Sequence, residues 1–353
     1  MTAIVDTPEE AAALERPPLL VRKPLEAYLD GCGLGSGPLE AQPVGEGHSN
    51  ITYLIRRAGG SWILRRPPRP PLPPSAHDVL REARLLRALE GTAARVPRVL
   101  AVAADPDVIG APFYVMEVVD GSVATTAVPA ALDSDEQRRR MADEMIDALA
   151  EIHAVDWRAA GLEGFGRPTG YLERQLRRFG GLWEHNQTRE LPTLERVSAW
   201  LAEHLPESRE ATIVHGDYRL GNVMFAPGAP ARLVAVFDWE LATIGDPLAD
   251  VGYLVATWAQ AGDPDFEVAL HDVTRQPGFP TRDALIERYE TATGRSMSNV
   301  AWYTTLALWK SAIFLEGSYK RRLAGTADDP FFDLLERGVP QLAERAWAAA
   351  QGG

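Results

Sequence analysis

IVHGDYRLGNVMF, running from Ile213 to Phe225, decides how this chain is read. Two apolar pieces, Ile213-Val214 and Val223-Met224-Phe225, bracket a loop that holds His215, Asp217, Arg219 and Asn222. A turn needs one Asn or Gly to supply its backbone angles. It does not need an acid and an amide five positions apart between two strand-like runs. Downstream, LVAVFDWELATIGDPLADVGYL (233–254) repeats the arrangement, an apolar strand ending in an acid, Asp238. If 223–225 and 233–237 pair as a hairpin, the loop before the first strand lies beside the end of the second. Asp217, Asn222 and Asp238 then meet at one edge.

Phosphoryl transfer asks for such a set. A hydroxyl nucleophile needs a carboxylate to orient it and accept its proton, and Asp217 is placed for that. Mg²⁺ takes few hard oxygen ligands and keeps several waters; Asn222 and Asp238 supply an amide oxygen and a carboxylate. The nucleotide is then expected upstream. VGEGHSNITYLI (44–55) sets Gly45 and Gly47 before a strand, where backbone N–H groups can approach phosphates. WILRRPP follows with a basic residue, Arg65 or Arg66. In the helix-patterned SAHDVLREARLLRALEG, Val79, Glu82, Leu86 and Leu89 share one face. A charge within an apolar stripe calls for a partner, and Arg65 is the natural one. FYVMEVVDG reads as a strand whose backbone can take adenine.

These residues resemble the aminoglycoside phosphotransferase and choline kinase-like families: His215-Gly216-Asp217, then Asn222, then Asp238 in FDWE, over roughly residues 43–325. The resemblance implies an α+β, bilobal protein-kinase-like fold with a β-rich N-lobe and a mainly helical C-lobe. It implies Asp217 as catalytic base, Asn222 and Asp238 as Mg²⁺ ligands, and ATP as co-substrate, with GTP also open. Nucleotide contacts fall on Gly45, Gly47, Ser49, Arg65 in the place of the kinase lysine, its partner Glu82, and a hinge at Glu117 and Val119. GHSNITYLI, LRRPP, LAEIHAVDW and the 238–254 run are most similar to one branch, which includes the kinase domain joined to some acyl-CoA dehydrogenases. That branch implies a hydroxylated metabolite as acceptor, 4-hydroxyacyl-CoA among them. Arginine at 65 is a fixed, forked charge where lysine is a point charge. The Asp238-Trp239-Glu240 run departs from protein kinases and argues against an activation-loop switch.

Other residues have plainer expectations. His215 orients the loop, and His153 is structural. Asp246 and Asp250 cap the next helix and brace the loop. Arg219 reaches a phosphate or lies in solvent, and Glu240 supports the metal through water or is structural. Trp183, Trp200, Trp302 and Trp309 belong to a core. The run Lys320, Arg321, Arg322 ends a helix and is a weaker candidate for a CoA phosphate. Two rival classes stand beside the kinase: a metal-dependent phosphoesterase, which wants more histidines than His271 alone supplies, and a nucleotide sensor without turnover.

The bulk numbers set the frame. With 353 residues and 46% hydrophobic content, the chain can build a large core. A net charge of −13 speaks against non-specific nucleic-acid binding. The single cysteine, Cys32, and an N-terminus without a secretory pattern predict a reducing, cytoplasmic setting. TTLALWKSAIFLEGSY is interrupted by Lys310 and Glu316, so no membrane span is expected. The predicted organisation is a leader and linker (1–42), a nucleotide-binding lobe (43–119), and a catalytic and substrate-binding lobe (120–353), whose 122–205 and 255–325 helices wall the acceptor pocket. The partner is a hydroxylated small molecule; the oligomeric state is open.

Overall fold

Strand alternation organises the first part of the chain in a computed structural model that describes residues 4–45, 50–70, 72, 77–268, 271–326 and 329–352. The chain divides into two compact units, 1–92 with 96–120, and 93–95 with 121–353.

In the first unit, β1 (Ile4–Val5), α1 (Pro8–Ala12), β2 (Leu20–Val21) and α2 (Arg22–Gly31) lead into β3 (Ser36–Val44), β4 (Ile51–Ala58), β5 (Gly60–Arg66), α3 (Val79–Leu89), β6 (Val99–Ala103) and β7 (Phe113–Glu117). The five-stranded antiparallel sheet has the order β3-β4-β5-β7-β6. In β4 the odd positions Tyr53, Ile55 and Arg57 are buried, as the period of two dictates. Tyr53 and Ile55 join Leu25 and Leu29 of α2, Leu39 of β3, and Leu64, Phe113 and Val115 in one core.

The segment read as leader and linker therefore differs from expectation. Leu25 and Leu29 are fully buried, each contributing about 2 kcal/mol. Residues 36–44 form an edge strand. Its glycine and prolines, Gly37, Pro38 and Pro43, hide the alternation. An edge position tolerates them because one side of its backbone needs no ladder bonds. The register shift between Ser36 and Glu40 fits the same cause. Arg57 is buried because its guanidinium bonds Asp30 at 2.6 Å and the Gly37 carbonyl.

The second unit is mainly helical: α4 (Asp135–Ala154), α5 (Tyr171–Asn186), α6 (Pro192–Glu203), α7 (Leu248–Thr257), α8 (Arg282–Thr293), α9 (Val300–Leu323) and α10 (Leu335–Ala350). Ser134 caps α4 through the Gln137 N–H. Two small antiparallel pairs interrupt the helices. They are β8 (Thr212–Val214) with β11 (Thr243–Gly245), and the hairpin β9 (Val223–Phe225) with β10 (Leu233–Val236).

The core gathers around α9, with Trp302, Tyr303, Leu306, Trp309 and Ile313 against Val339 and Leu342 of α10; Trp183 and Trp200 pack on its margin. Glu316 on α9 is fully buried, and Arg189 meets its carboxylate at 3.0 Å. Among the described residues, no helix is long and apolar enough to cross a membrane. The basic run ending α9 is committed to the protein: Lys320 bonds the His185 carbonyl, Arg321 the Ser318 hydroxyl, and Arg322 the Asp333 carboxylate.

Candidate active site

The loop between β8 and β9 is held from four directions. Asp250, on α7, accepts the His215 N–H at 2.7 Å and the Gly216 N–H at 2.8 Å. His153 of α4 meets the same carboxylate at 3.2 Å and the Tyr289 hydroxyl at 2.7 Å. Tyr218 donates to the Met145 carbonyl at 2.7 Å. Gly216 has a φ of 86°, and a Cβ there would lie 3.0 Å from the Leu241 backbone oxygen. Only glycine combines that angle with that proximity.

His215 fixes the geometry as expected of an orienting residue. It is fully buried. Its Nε2 lies 2.8 Å from the Phe237 carbonyl, and its Nδ1 accepts the Asp217 N–H at 3.2 Å. Both contacts are satisfied by one neutral tautomer, Nε2–H. The Phe237 N–H in turn donates to the Asn222 carbonyl at 2.8 Å. Both backbone groups of Phe237 are thus tied to the loop, and its neighbour Asp238 is delivered beside Asn222. Asp238 has a left-handed backbone, φ 63° and ψ 63°. This costs a non-glycine residue about 1–2 kcal/mol, and such outliers gather at functional sites.

Asn222 donates its amide to Asp217 twice, to Oδ2 at 2.7 Å and to the carbonyl at 2.8 Å. With Nδ2 so committed, the Oδ1 atom is the one left to ligate. An amide oxygen and a carboxylate, as Asn222 and Asp238 would supply, are the kind of sparse hard-oxygen set that suits Mg²⁺. Among the described residues, no three His, Cys, Asp or Glu side chains cluster at metal-binding spacing. Glu240 is half-buried in the following turn, Trp239–Leu241.

Arg219 lies against Asp217 rather than in solvent, its Nε 3.2 Å from Oδ1. Its Nη1 lies 3.3 Å from Nε2 of His271. Sequence reasoning left His271 in an unrelated context; the fold brings it to the loop across 52 positions. Burial, then the Arg219 charge, lowers the His271 imidazole to about 4.

Two further residues escaped notice. Tyr253, on α7, is pushed well above its usual ionisation by burial and then by the neighbouring Asp217 charge. Lys310, half-buried on α9, is lowered to about 8 by burial and Arg178, against the pull of Asp250 and Asp217. Its ammonium sits 4.8 Å from the Phe179 ring centre. A lone lysine inside an apolar helix stripe was the available signal for it.

The His271 shift has a signed consequence. Between the ordinary 6.5 and about 4 the unfolded chain binds a proton that the folded one refuses. Stability therefore falls as pH drops through that window, by roughly 3 kcal/mol in full, and is level above it. In urea titrations at pH 7.5 and 4.5, His271→Gln is expected to lose less stability than the parent. An identical loss would show that His271 carries no such penalty.

In the first unit, Arg65 donates Nε to Glu82 at 2.9 Å, and Glu82 is 2% exposed. Arg66 points to the other face of β5, bonding the Pro67 and Leu19 carbonyls. Glu82 lies on α3, capped by Asp78 through the Arg81 N–H. Glu82→Leu removes the carboxylate from a guanidinium that is only 13% exposed. The expected cost is about 3 kcal/mol in urea unfolding; a cost under about 0.5 kcal/mol would mark the pair as a loose surface contact. Gly45 closes β3 with a φ of 79°. Gly47 and Ser49 lie outside the described residues. Glu117 ends β7, its N–H donating to the Arg98 carbonyl and its carboxylate accepting the Arg98 N–H. Val119 is half-buried just beyond.

Comparison with known proteins gives a consistent picture. The model of the phosphotransferase enzyme family matches residues 40–286. Mouse acyl-CoA dehydrogenase family member 10 is 35% identical over 328 residues, covering 92% of this chain and 30% of that protein. The chain spans between 30% and 43% of the length of the first curated relatives it matches. A crystal structure of a candidate aminoglycoside phosphotransferase from Ralstonia eutropha JMP134 has a TM-score of 0.80 at 32% identity, covering 94% of this chain and 98% of that one. The aminoglycoside phosphotransferase APH(4)-Ia, in complex with AMP-PNP and hygromycin B, shares the fold, with a TM-score of 0.61 at 16% identity and coverage of 94% and 99%. The chain belongs to the phosphotransferase enzyme family and is built on the protein-kinase-like fold.

Proposed function

We propose that this protein transfers the γ-phosphate of Mg-ATP to the hydroxyl of a metabolite, with Asp217 as the base that orients the hydroxyl and takes its proton. One observation carries the reading: Asn222 commits its amide nitrogen to Asp217, while Phe237, tied to the loop through both backbone groups, brings Asp238 alongside. Asn222 Oδ1 and the Asp238 carboxylate would hold the metal. When bound, Mg²⁺ would neutralise the charge of the phosphates. Arg65, stiffened by Glu82, steadies the α- and β-phosphates. The family resemblance assigns Gly45, Gly47 and Ser49 to the phosphates and Glu117 and Val119 to adenine. The fold shared with a protein captured with AMP-PNP supports the nucleotide assignment.

For the acceptor we propose a hydroxylated metabolite of acyl-CoA metabolism, on the likeness to acyl-CoA dehydrogenase family members, and a cytoplasmic setting. An ADP-release screen over hydroxyacyl-CoAs, amino alcohols, sugars and aminoglycosides tests this. The expected result is Mg²⁺-dependent ADP release stimulated by a hydroxyacyl-CoA. ATP binding with no acceptor in the panel consumed would contradict it and point to a sensor; phosphate release from esters without ATP would point to a phosphoesterase.

A further inference from the structure

Arg219 turns back on its own loop. From the extended residue before the 220–222 turn, its Nε reaches both Asp217 oxygens, at 3.2 and 3.4 Å. Its Nη1 meets His271 Nε2 at 3.3 Å. A guanidinium only donates, so the facing imidazole nitrogen must be the unprotonated one. In the neutral ring the hydrogen then sits on Nδ1, a buried atom with no hydrogen-bond partner among the described residues. Leaving a buried donor unpaired costs about 1–3 kcal/mol, and such orphans in a native fold call for an explanation. The charge-assisted bond from Arg219 offsets the cost. Burial and the Arg219 charge keep the ring neutral down to about pH 4.

Gly221 supplies an independent observation. A Cβ at this position would lie 2.5 Å from Arg219 Nη1 and 3.1 Å from His271 Cε1. The loop keeps a glycine where the guanidinium and the imidazole meet, so their contact is built into the loop.

We propose that His271 is a positioning residue for phosphoryl transfer: through Arg219, in the space left by Gly221, it locks the Asp217 carboxylate in one orientation. The proposal rests on the reading of Asp217 as the base. Arginine is a long side chain with about 2 kcal/mol of rotamer entropy. Anchored at Nη1 as well as Nε, it is held as a brace across the carboxylate. Released from His271, it swings away and leaves the Asp217 carboxylate to the Asn222 amide and the Tyr253 hydroxyl, without the charged brace. A base free to turn slows the transfer without weakening nucleotide binding, since a small misplacement of a catalytic group can cost about a hundredfold.

The test combines kinetics with a spectroscopic readout on the full chain. The kinetic probe is ADP release from Mg-ATP with water as acceptor. His271→Leu is expected to lower kcat about 10- to 100-fold with KM for ATP within about twofold, and His271→Gln, which keeps an acceptor, to restore most of it. Arg219→Ala combined with His271→Leu is expected to be no slower than Arg219→Ala alone; a multiplicative loss would overturn the proposal. In ¹⁵N NMR of the resting protein, His271 is expected to carry its proton on Nδ1, and to lose that preference in Arg219→Ala. A proton on Nε2 alongside normal turnover overturns this proposal and leaves the phosphotransferase reading intact. Absence of any wild-type turnover, with water and with every hydroxylated acceptor offered, overturns both.

Discussion

Asp217→Asn is expected to cut phosphoryl transfer at least about a thousandfold while leaving Mg-ATP affinity within a few-fold of the parent. The amide keeps the shape of the carboxylate and one oxygen to accept from Asn222, whose Nδ2 lies 2.7 Å from Asp217 Oδ2. What it loses is the negative charge that orients a hydroxyl and takes its proton, an effect worth roughly 10²–10⁴-fold for a positioned base. ADP release with a responsive acceptor measures the rate, and calorimetry with a non-hydrolysable ATP analogue measures the affinity. A variant retaining a tenth of the parent rate would remove Asp217 from the chemistry.

The second large effect concerns stability. Asp250 is fully buried and holds three groups at once: the N–H groups of His215 and Gly216 and the His153 ring. Burial alone would push this carboxyl up. The hydrogen bond and electrostatic pull of His153, then the Gly216 N–H, hold it below the ordinary 3.8. A depressed carboxyl contributes stability above its unfolded value and loses it as pH falls through the folded one. Its contribution is therefore fully present at neutral pH. Asp250→Ala leaves two buried N–H groups and a ring nitrogen without an acceptor and opens a void. The expected cost is about 4 kcal/mol, a fall in melting temperature of roughly 8–15 °C. Transfer should fall with it, because Gly216 and His215 set the backbone of Asp217. Urea unfolding that shifts by less than about 1 kcal/mol would show the loop to be braced elsewhere.

How much of this could be read beforehand depended on distance along the chain. The short hairpin, Val223–Phe225 with Leu233–Val236, that sets the loop of Asp217 and Asn222 beside the strand running toward Asp238 is written in local alternation. The Arg65–Glu82 pair was also readable, since a lone charge on an apolar helix face requires a partner. Residues 22–44 were not. Strand β3 carries Pro38 and Pro43 at a sheet edge, where the usual alternation is relaxed, and α2 depends on two leucines whose sheet partners come later. His271, Tyr253 and Lys310 reach the loop through tertiary packing, which no spacing rule encodes. Gly221 looked like ordinary turn chemistry until the guanidinium beneath it was in view.

The most direct measurement is a crystal structure of the protein with Mg²⁺ and a non-hydrolysable ATP analogue. The account predicts one metal ion within coordination distance of both Asn222 Oδ1 and the Asp238 carboxylate, with the γ-phosphate facing Asp217. A metal held by other residues, or a nucleotide whose γ-phosphate lies away from Asp217, would contradict it.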